Sequence, residues 1–240
     1  MRYKLVLSYD GSKFYGSQSQ KDKITVLSEL NKILSMLCNS NIQVIGCSRT
    51  DRGVHANYFV VHFDTFVKFD IEKLNKSLNK LLKPYIFINE ITEVSEEFHA
   101  RYSVKSKKYV YKINMGEYNP CMYDYVLQYN KKIDEKLLKQ TINVLNGEHN
   151  FKSFTSDKNA NSYIRNIKIS YEFKNDECLL YFESSGFLRY MIRNIVGLIL
   201  DINDGVKSVN DIKKIIESCD RCMVGKPALS NGLYLDLVEY

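Results

Sequence analysis

The segment RYKLVLSY, residues 2–9, predicts the first strand of the fold. Its aromatic and apolar side chains recur at every second position, at Tyr3, Leu5, Leu7 and Tyr9. Because successive side chains of a strand point to opposite faces, this period of two predicts a strand with one buried face.

Segments with the apolar spacing of helices and strands follow this first strand. Apolar residues at helical spacing predict amphipathic helices over residues 24–37 and 71–82. Apolar runs predict strands over residues 42–47, 58–63 and 85–91. Together with the first strand, these segments give the order β-α-β-β-α-β, which is typical of a ferredoxin-like fold.

The rest of the chain repeats this order of elements without repeating the sequence. We predict an α+β protein with two ferredoxin-like (RRM-like) βαββαβ halves, residues 1–104 and 105–240. The second half is predicted to contain a strand from residue 107, a helix over 134–145, a loop over 147–161, strands over 163–173 and 178–184, helices over 187–200 and 211–218, and a strand over 232–238.

The composition of the chain indicates which kind of partner and which cellular compartment to expect. Lys and Arg outnumber Asp and Glu by 34 to 28, a net charge of +6 that favours a polyanionic partner. The longest apolar stretch, residues 195–200, is too short to cross a bilayer, so we expect no membrane segment. The six cysteines form no regular framework, and residues 1–11 do not resemble a signal peptide. We therefore expect a reduced, cytoplasmic protein.

Motifs for nucleotides and metals are absent from the sequence. It has neither a G-x-x-x-x-G-K-[ST] phosphate loop nor a G-x-G-x-x-G after a strand, and its four histidines lack metal-ligand spacing. Cys219 and Cys222 form a C-x-x-C pair, but a zinc site needs a second pair of ligands. We expect no metal and no redox cofactor.

The segment GCSRTDRGVHA, residues 46–56, contains the strongest candidate for chemistry. Asp51 follows Arg49 and precedes Arg52, and Gly53 permits a tight turn that would expose the carboxylate. Neighbouring arginines favour the ionised carboxylate, which can act as a nucleophile or a base. The alternative is an ion pair that only fixes the turn, and spacing alone leaves both open.

Two further arginines lie in a predicted apolar helix. Arg189 and Arg193 are four residues apart within residues 187–200. Arginine is rarely buried without an anionic partner, so these side chains are candidates for an anionic site. They are equally compatible with a narrow solvent-exposed stripe of the helix.

Six motifs, in the same order, resemble those of the TruA-type tRNA pseudouridine synthases. Besides G-x-S-R-T-D-x-G-V-H-A, these are Y-D-G with F-x-G-x-Q, F-H-A-R-Y-S with K-Y-V-Y, G-E-H-N-F with S-F, M-I-R-N-I-V-G, and G-L-Y-L. They occupy residues 46–56, 9–18, 98–111, 147–154, 191–197 and 232–235 respectively.

The resemblance implies a fold, an activity and roles for individual residues. It implies one antiparallel sheet shared by both halves with a central cleft, and a cofactor-independent isomerisation of uridine to pseudouridine in the anticodon stem-loop of tRNA. A homodimer is also implied. The implied catalytic residues are Asp51, the aromatic Tyr109, and Arg193 as the basic partner of the aspartate. The implied substrate-binding residues are Arg49, Arg52, His55, Tyr109 and Arg189.

Three departures from the family motifs concern the choice of substrate. Ser17 replaces a tryptophan, Arg52 replaces a small residue, and residues 228–230 replace A-P-A. A related enzyme that acts on ribosomal RNA therefore stays an alternative. A non-catalytic RNA-binding protein is a second alternative, which is disfavoured because neither half contains an aromatic-rich RNP strand.

Overall fold

A computed structural model describes all residues from Met1 to Tyr240. It confirms the α+β class. The chain forms two compact units, residues 1–107 with 234–240 and residues 108–233. The predicted halves placed the last strand with residues 105–240, whereas the structure returns it to the first unit, where it lies beside a strand of that unit.

The helices are α1 (Val26–Cys38), α2 (Ile71–Leu82), α3 (Glu135–Leu145), α4 (Met191–Asn203) and α5 (Asp211–Ser218). The strands are β1 (Arg2–Tyr9), β2 (Ile45–Gly46), β3 (His55–Asp64), β4 (Ile86–Val94), β5 (Ser106–Asn114), β6 (Leu127–Gln128), β7 (Gly147–Asn150), β8 (Ile164–Lys174), β9 (Glu177–Ser184) and β10 (Leu233–Glu239). None of the five helices combines the length and apolar character needed to cross a membrane.

Side-chain caps decide where several helices begin. Asp70 accepts the Lys73 N–H at 3.2 Å, and α2 spans the predicted residues 71–82 without change. Thr25 accepts the Ser28 N–H at 3.2 Å, so α1 begins at Val26, later than predicted. These caps satisfy N–H groups that the first turn of a helix leaves unpaired.

In the first unit, β1 lies between β4 and β3 and pairs antiparallel with both. Leu5 is opposite Val61 on β3 and Ile91 on β4. The other edge of β3 pairs antiparallel with β2 and parallel with β10. Tyr3, Leu5 and Leu7 are fully buried, as the alternation predicted. Val6 is also buried, at 1% exposed, so the opposite face of β1 is covered at its centre.

In the second unit the strand order is β5-β9-β8-β7, and β6 runs parallel to β5. The predicted loop over residues 147–161 contains β7 and a 3-10 turn over Lys152–Phe154. Phe151 and Phe154 are fully buried there. The segment is extended because β7 pairs antiparallel with β8, a pairing between distant residues that no local pattern predicts.

Helix α4 begins later than the predicted range of 187–200. Tyr190 adopts a left-handed backbone conformation with φ of 61°, and the helix starts at Met191. A left-handed residue cannot continue a right-handed helix. Arg189 therefore precedes the helix, and only Arg193 lies on it.

A buried histidine links β3 to the segment after β4. His62 is 1% exposed, and its Nδ1 accepts the Ala100 N–H at 3.0 Å. Burial, with the nearby charge of Arg2, lowers the pKa of His62 from 6.5 to about 4. The folded protein therefore holds this ring neutral at physiological pH.

This lowered pKa predicts a specific pH dependence of stability. The neutral ring is fully stabilising above pH 6.5, and protonation of the unfolded chain removes that stability as pH falls toward 4. At about pH 4 the free energy of unfolding is lower by about 3 kcal/mol than above pH 6.5. Urea denaturation should show a flatter pH profile in His62→Asn, whose amide oxygen can replace Nδ1.

The matched control is His149→Asn, because His149 is half-buried and lies in the second unit. This control should keep the wild-type slope of unfolding free energy against pH. If the profile of His62→Asn between pH 4 and 6.5 coincides with that of wild type, the buried ring is not the source of the slope.

Candidate active site

The candidate catalytic loop connects β2 to β3 in the first unit. At its start, Cys47 is fully buried, and its backbone N–H donates to the Val60 carbonyl at 2.8 Å. At its tip the Val54 N–H donates to the Asp51 carbonyl at 3.2 Å, while Gly53 has φ of 80°. This tight turn leaves the Asp51 side chain half-buried.

Residues of the opening motif lie directly beneath this loop. The Tyr9 hydroxyl is hydrogen-bonded to Thr50 Oγ1 at 2.8 Å. Ser17 Oγ accepts the Thr50 N–H at 2.8 Å, and the Ser17 N–H donates to the Thr50 carbonyl at 3.2 Å. Gly16 has φ of 93°, and a Cβ atom there would lie 2.6 Å from the same carbonyl. The backbone can approach Thr50 this closely only because residue 16 is glycine.

His55 supports the end of the loop from inside the unit. It is 2% exposed, its Nδ1 accepts the Gly11 N–H at 3.1 Å, and its ring stacks on Tyr234 at 4.5 Å. A Cβ atom on Gly11 would lie 1.9 Å from the Val54 carbonyl oxygen. Substrate contact by His55 stays a prediction.

Arg49 and Arg52 are both exposed on either side of Asp51. The Arg52 guanidinium lies over the Tyr15 ring, with 4.4 Å from Cζ to the ring centroid. Lys23 Nζ lies 4.6 Å from the same centroid. Stacking holds the planar guanidinium in place while its N–H groups stay available at the surface. The stabilisation of the Asp51 anion by these arginines stays a prediction.

The other implied catalytic residues belong to the second unit. Tyr109 lies on β5 and is 6% exposed, with its ring edge-on to Phe187 at 5.3 Å. Arg189 is exposed, and its Nη2 donates to the Tyr190 hydroxyl at 3.2 Å. Tyr109 is therefore buried against Phe187, whereas Arg189 is exposed and accessible to a polyanion.

Arg193 is half-buried in the first turn of α4 and is fixed by the chain that follows α5. Its Nε donates to the Ala228 carbonyl at 2.8 Å, and its own carbonyl accepts the Ala228 N–H at 2.9 Å. Its guanidinium also lies over the Tyr190 ring, 5.2 Å from the centroid. These contacts orient the guanidinium in the absence of substrate.

A second set of contacts holds Ala228 in place. A Cβ atom on Gly197 would lie 2.2 Å from the Lys226 carbonyl oxygen, so the segment can approach α4 only at a glycine. Asn194 is fully buried, and its Oδ1 accepts from Arg221 Nη2 at 2.7 Å. Arg221 Nη1 in turn donates to the Gly225 carbonyl at 2.7 Å.

The departure at residues 228–230 leaves these hydrogen bonds in place. Ala228 and Leu229 contribute backbone carbonyls, and the Leu229 carbonyl accepts the Tyr111 hydroxyl at 2.5 Å. Burial raises the pKa of Tyr111 above its usual value, which keeps this hydroxyl protonated as a donor. Because any residue supplies a backbone carbonyl, the replacement of A-P-A preserves the support of Arg193.

Comparison with known proteins bears on both halves of the chain. The family model described as tRNA pseudouridine synthase matches residues 142–240. Two proteins named tRNA pseudouridine synthase A, from Leuconostoc mesenteroides and Dictyoglomus thermophilum, are 36% and 38% identical to this chain respectively. Each alignment covers 100% of this chain and 99% or 100% of the relative. The chain belongs to the tRNA pseudouridine synthase A family.

Membership confirms the resemblance on which the site residues were predicted. Within the first unit, the structure brings the family's opening motif, residues 9–18, against the Asp51 loop. Within the second, it brings the motif at 191–197 against residues 226–228. Sequence reasoning missed the supporting roles of Tyr15, Ser17 and Tyr190. The only signal was their position inside or beside the family motifs.

No group of three or more His, Cys, Asp or Glu side chains has an arrangement suited to a metal ion. All six cysteines are free thiols. Cys219 and Cys222 lie at and just after the end of α5, half-buried and exposed respectively.

Proposed function

We propose that this protein isomerises uridine to pseudouridine in tRNA, with Asp51 as the essential catalytic residue. The observation that carries the proposal is the half-buried Asp51 at a tight turn, directly after Thr50, which is hydrogen-bonded to Tyr9 of the opening motif that the family shares. The full-length relatives, which are named tRNA pseudouridine synthase A, support the substrate class.

The reaction requires a carboxylate and no redox agent. The N-glycosidic bond between N1 and C1′ breaks, the base turns, and a bond forms between C5 and C1′. The C5 proton leaves to solvent, and N1 takes up a proton from solvent, so the product is an isomer of uridine. A carboxylate beside the sugar could attack C1′ or assist loss of the C2′ proton. Both routes need Asp51 ionised, a state that the exposed arginines beside it favour.

We propose that Tyr109 and Arg193 complete the catalytic set, with Tyr109 supporting the extruded base and Arg193 pairing with the Asp51 carboxylate. The edge-on packing of Tyr109 against Phe187 supports a rigid ring. The hydrogen bond from Arg193 to Ala228 supports a guanidinium that is oriented in advance. Pre-oriented groups lose little further entropy on reaching the transition state.

The proposed architecture is two ferredoxin-like halves, predicted as residues 1–104 and 105–240 and here with the last strand assigned to the first unit, which share an antiparallel sheet with a central cleft. The order β4-β1-β3-β2 of the first unit and its β-α-β-β-α-β succession support the first half. Family membership supports the remainder.

RNA contacts are proposed for the exposed Arg49, Arg52 and Arg189, which carry positive charge for phosphates. The target uridine must leave its stack before it reaches Asp51, as in other enzymes that act on a base. His55 would contribute from beneath the loop. We place the reaction in the cytoplasm, and in the anticodon stem-loop of tRNA.

Asp51→Asn should lower the release of C5 tritium from labelled tRNA by at least about a thousandfold, because the amide cannot replace a carboxylate in the chemistry. Affinity for tRNA in a filter-binding assay should stay within a few-fold of wild type. Asp70→Asn is the control, since it removes one negative charge from the same unit and asparagine still caps α2. Near-wild-type turnover in Asp51→Asn would overturn the catalytic role of Asp51.

The protein is proposed to be a homodimer, as the family resemblance implies. Light scattering at micromolar concentration should give about twice the mass of one 28.0 kDa chain. A monomer that retains full activity would contradict the proposal.

Chemical mapping of total RNA tests the choice of substrate. Deletion of the gene should remove pseudouridine from anticodon stem-loops, and purified protein should restore it. Binding should weaken steeply with salt because phosphate contacts release counterions. Loss of pseudouridine only from ribosomal RNA would instead identify the protein as a relative retargeted to that RNA, with Asp51 in the same role.

A further inference from the structure

Ser17 forms hydrogen bonds with the loop that contains Asp51. Its side chain is fully buried; Oγ accepts the Thr50 N–H at 2.8 Å and donates to the Ser48 carbonyl at 3.3 Å. The Ser17 N–H donates to the Thr50 carbonyl at 3.2 Å. One serine thus binds both backbone polar groups of the residue that immediately precedes Asp51.

Ser17 is itself anchored to the beginning of α1. Its carbonyl accepts the Leu27 N–H at 3.0 Å, and the Gly16 carbonyl accepts the Val26 N–H at 3.3 Å. Thr25 caps the same turn through a reciprocal pair of hydrogen bonds with Ser28. These contacts connect the catalytic loop to a helix end rather than to another flexible segment.

Thr50 has little freedom left once these bonds form. Its hydroxyl is hydrogen-bonded to Tyr9, so both its backbone and its side chain are held. The Asp51 carboxylate lies one peptide bond, one backbone torsion and two side-chain torsions beyond this anchor. A displacement of about 1 Å at a catalytic group can lower a rate by about a hundredfold.

We propose that Ser17 is a positioning residue for Asp51, acting through Thr50; this rests on the proposed role of Asp51. The family resemblance has tryptophan at this position, and its indole carries a donor but no acceptor. An indole cannot accept the Thr50 N–H as Ser17 Oγ does. This chain therefore supports its catalytic loop by a hydrogen bond that depends on the serine hydroxyl.

Ser17→Ala tests the proposal against a matched buried serine. Ser153, in the second unit, is also fully buried, and its Oγ donates to the Ile215 carbonyl at 2.6 Å. We expect both alanine variants to lower the unfolding midpoint. Ser17→Ala should also lower kcat for tRNA by about ten- to a hundredfold with tRNA affinity within about twofold, as expected when a catalytic group is misplaced. Ser153→Ala should keep kcat within about twofold of wild type.

A second measurement needs no RNA. Hydrogen exchange should be at least about tenfold faster at the Thr50 amide in Ser17→Ala than in wild type or Ser153→Ala, because that amide has lost its acceptor. Ser17→Cys keeps the size of the side chain with a weaker acceptor and serves if the alanine variant does not fold. Its kcat should fall several-fold.

Asp51→Asn, assayed in parallel, separates the possible failures. If Asp51→Asn is inactive while Ser17→Ala and Ser17→Cys keep the wild-type kcat, the positioning role is overturned and the proposed function stands. An equal loss of kcat in Ser17→Ala and Ser153→Ala overturns the positioning role in favour of general destabilisation. Activity in Asp51→Asn overturns the proposed function, and the role of Ser17 with it.

Discussion

Close approach of backbone to backbone is the constraint on which both parts of the candidate site depend. A Cβ atom would lie 1.9 Å from the Val54 carbonyl oxygen at Gly11, and 2.2 Å from the Lys226 carbonyl oxygen at Gly197. Real side chains cannot occupy such positions without displacing the backbone opposite. The first approach seats the Asp51 loop, and the second seats the segment that orients Arg193.

Hydrogen bonds to the backbone then fix what the glycines bring together. Thr50 is held by Ser17 and Tyr9, and Arg193 is held by Ala228. Several of these polar groups are buried. Leaving a buried donor or acceptor without a partner destabilises the fold by more than a typical hydrogen bond stabilises it. The chemistry proposed for Asp51 and Arg193 therefore depends on residues that need not touch RNA, such as Ser17, Asn194 and Arg221.

Whether a residue supports the site through its backbone or through its side chain explains how the chain tolerates departures from the family motifs. Ala228 and Leu229 act through carbonyl groups, which are the same in every residue. Ser17 acts through its side chain, so its replacement of tryptophan changes how the loop is supported. Arg52 adds an exposed charge stacked on Tyr15, at a position where the family motif has a small residue. The three departures thus have different physical consequences.

The sequence by itself determined the elements whose causes are local. Helices α2 and α5 span the predicted residues 71–82 and 211–218 because their apolar spacing lies within each segment, and the cap of α2, Asp70, is the residue directly before it. The six ordered motifs also determined the family and the candidate residues. Only the tertiary structure decided that β10 returns to the first unit, that β7 pairs with β8, that α4 starts after Tyr190, and that His55 is buried.

The supporting contacts of the site belong to this second group. Ser17 meets Thr50 across 33 residues, and Arg193 meets Ala228 across 35. Periodicity and capping report only on neighbours within one or two turns of chain. Contacts between distant residues arise when packing selects one arrangement of the elements, and only the folded chain reveals which side chains then carry the site.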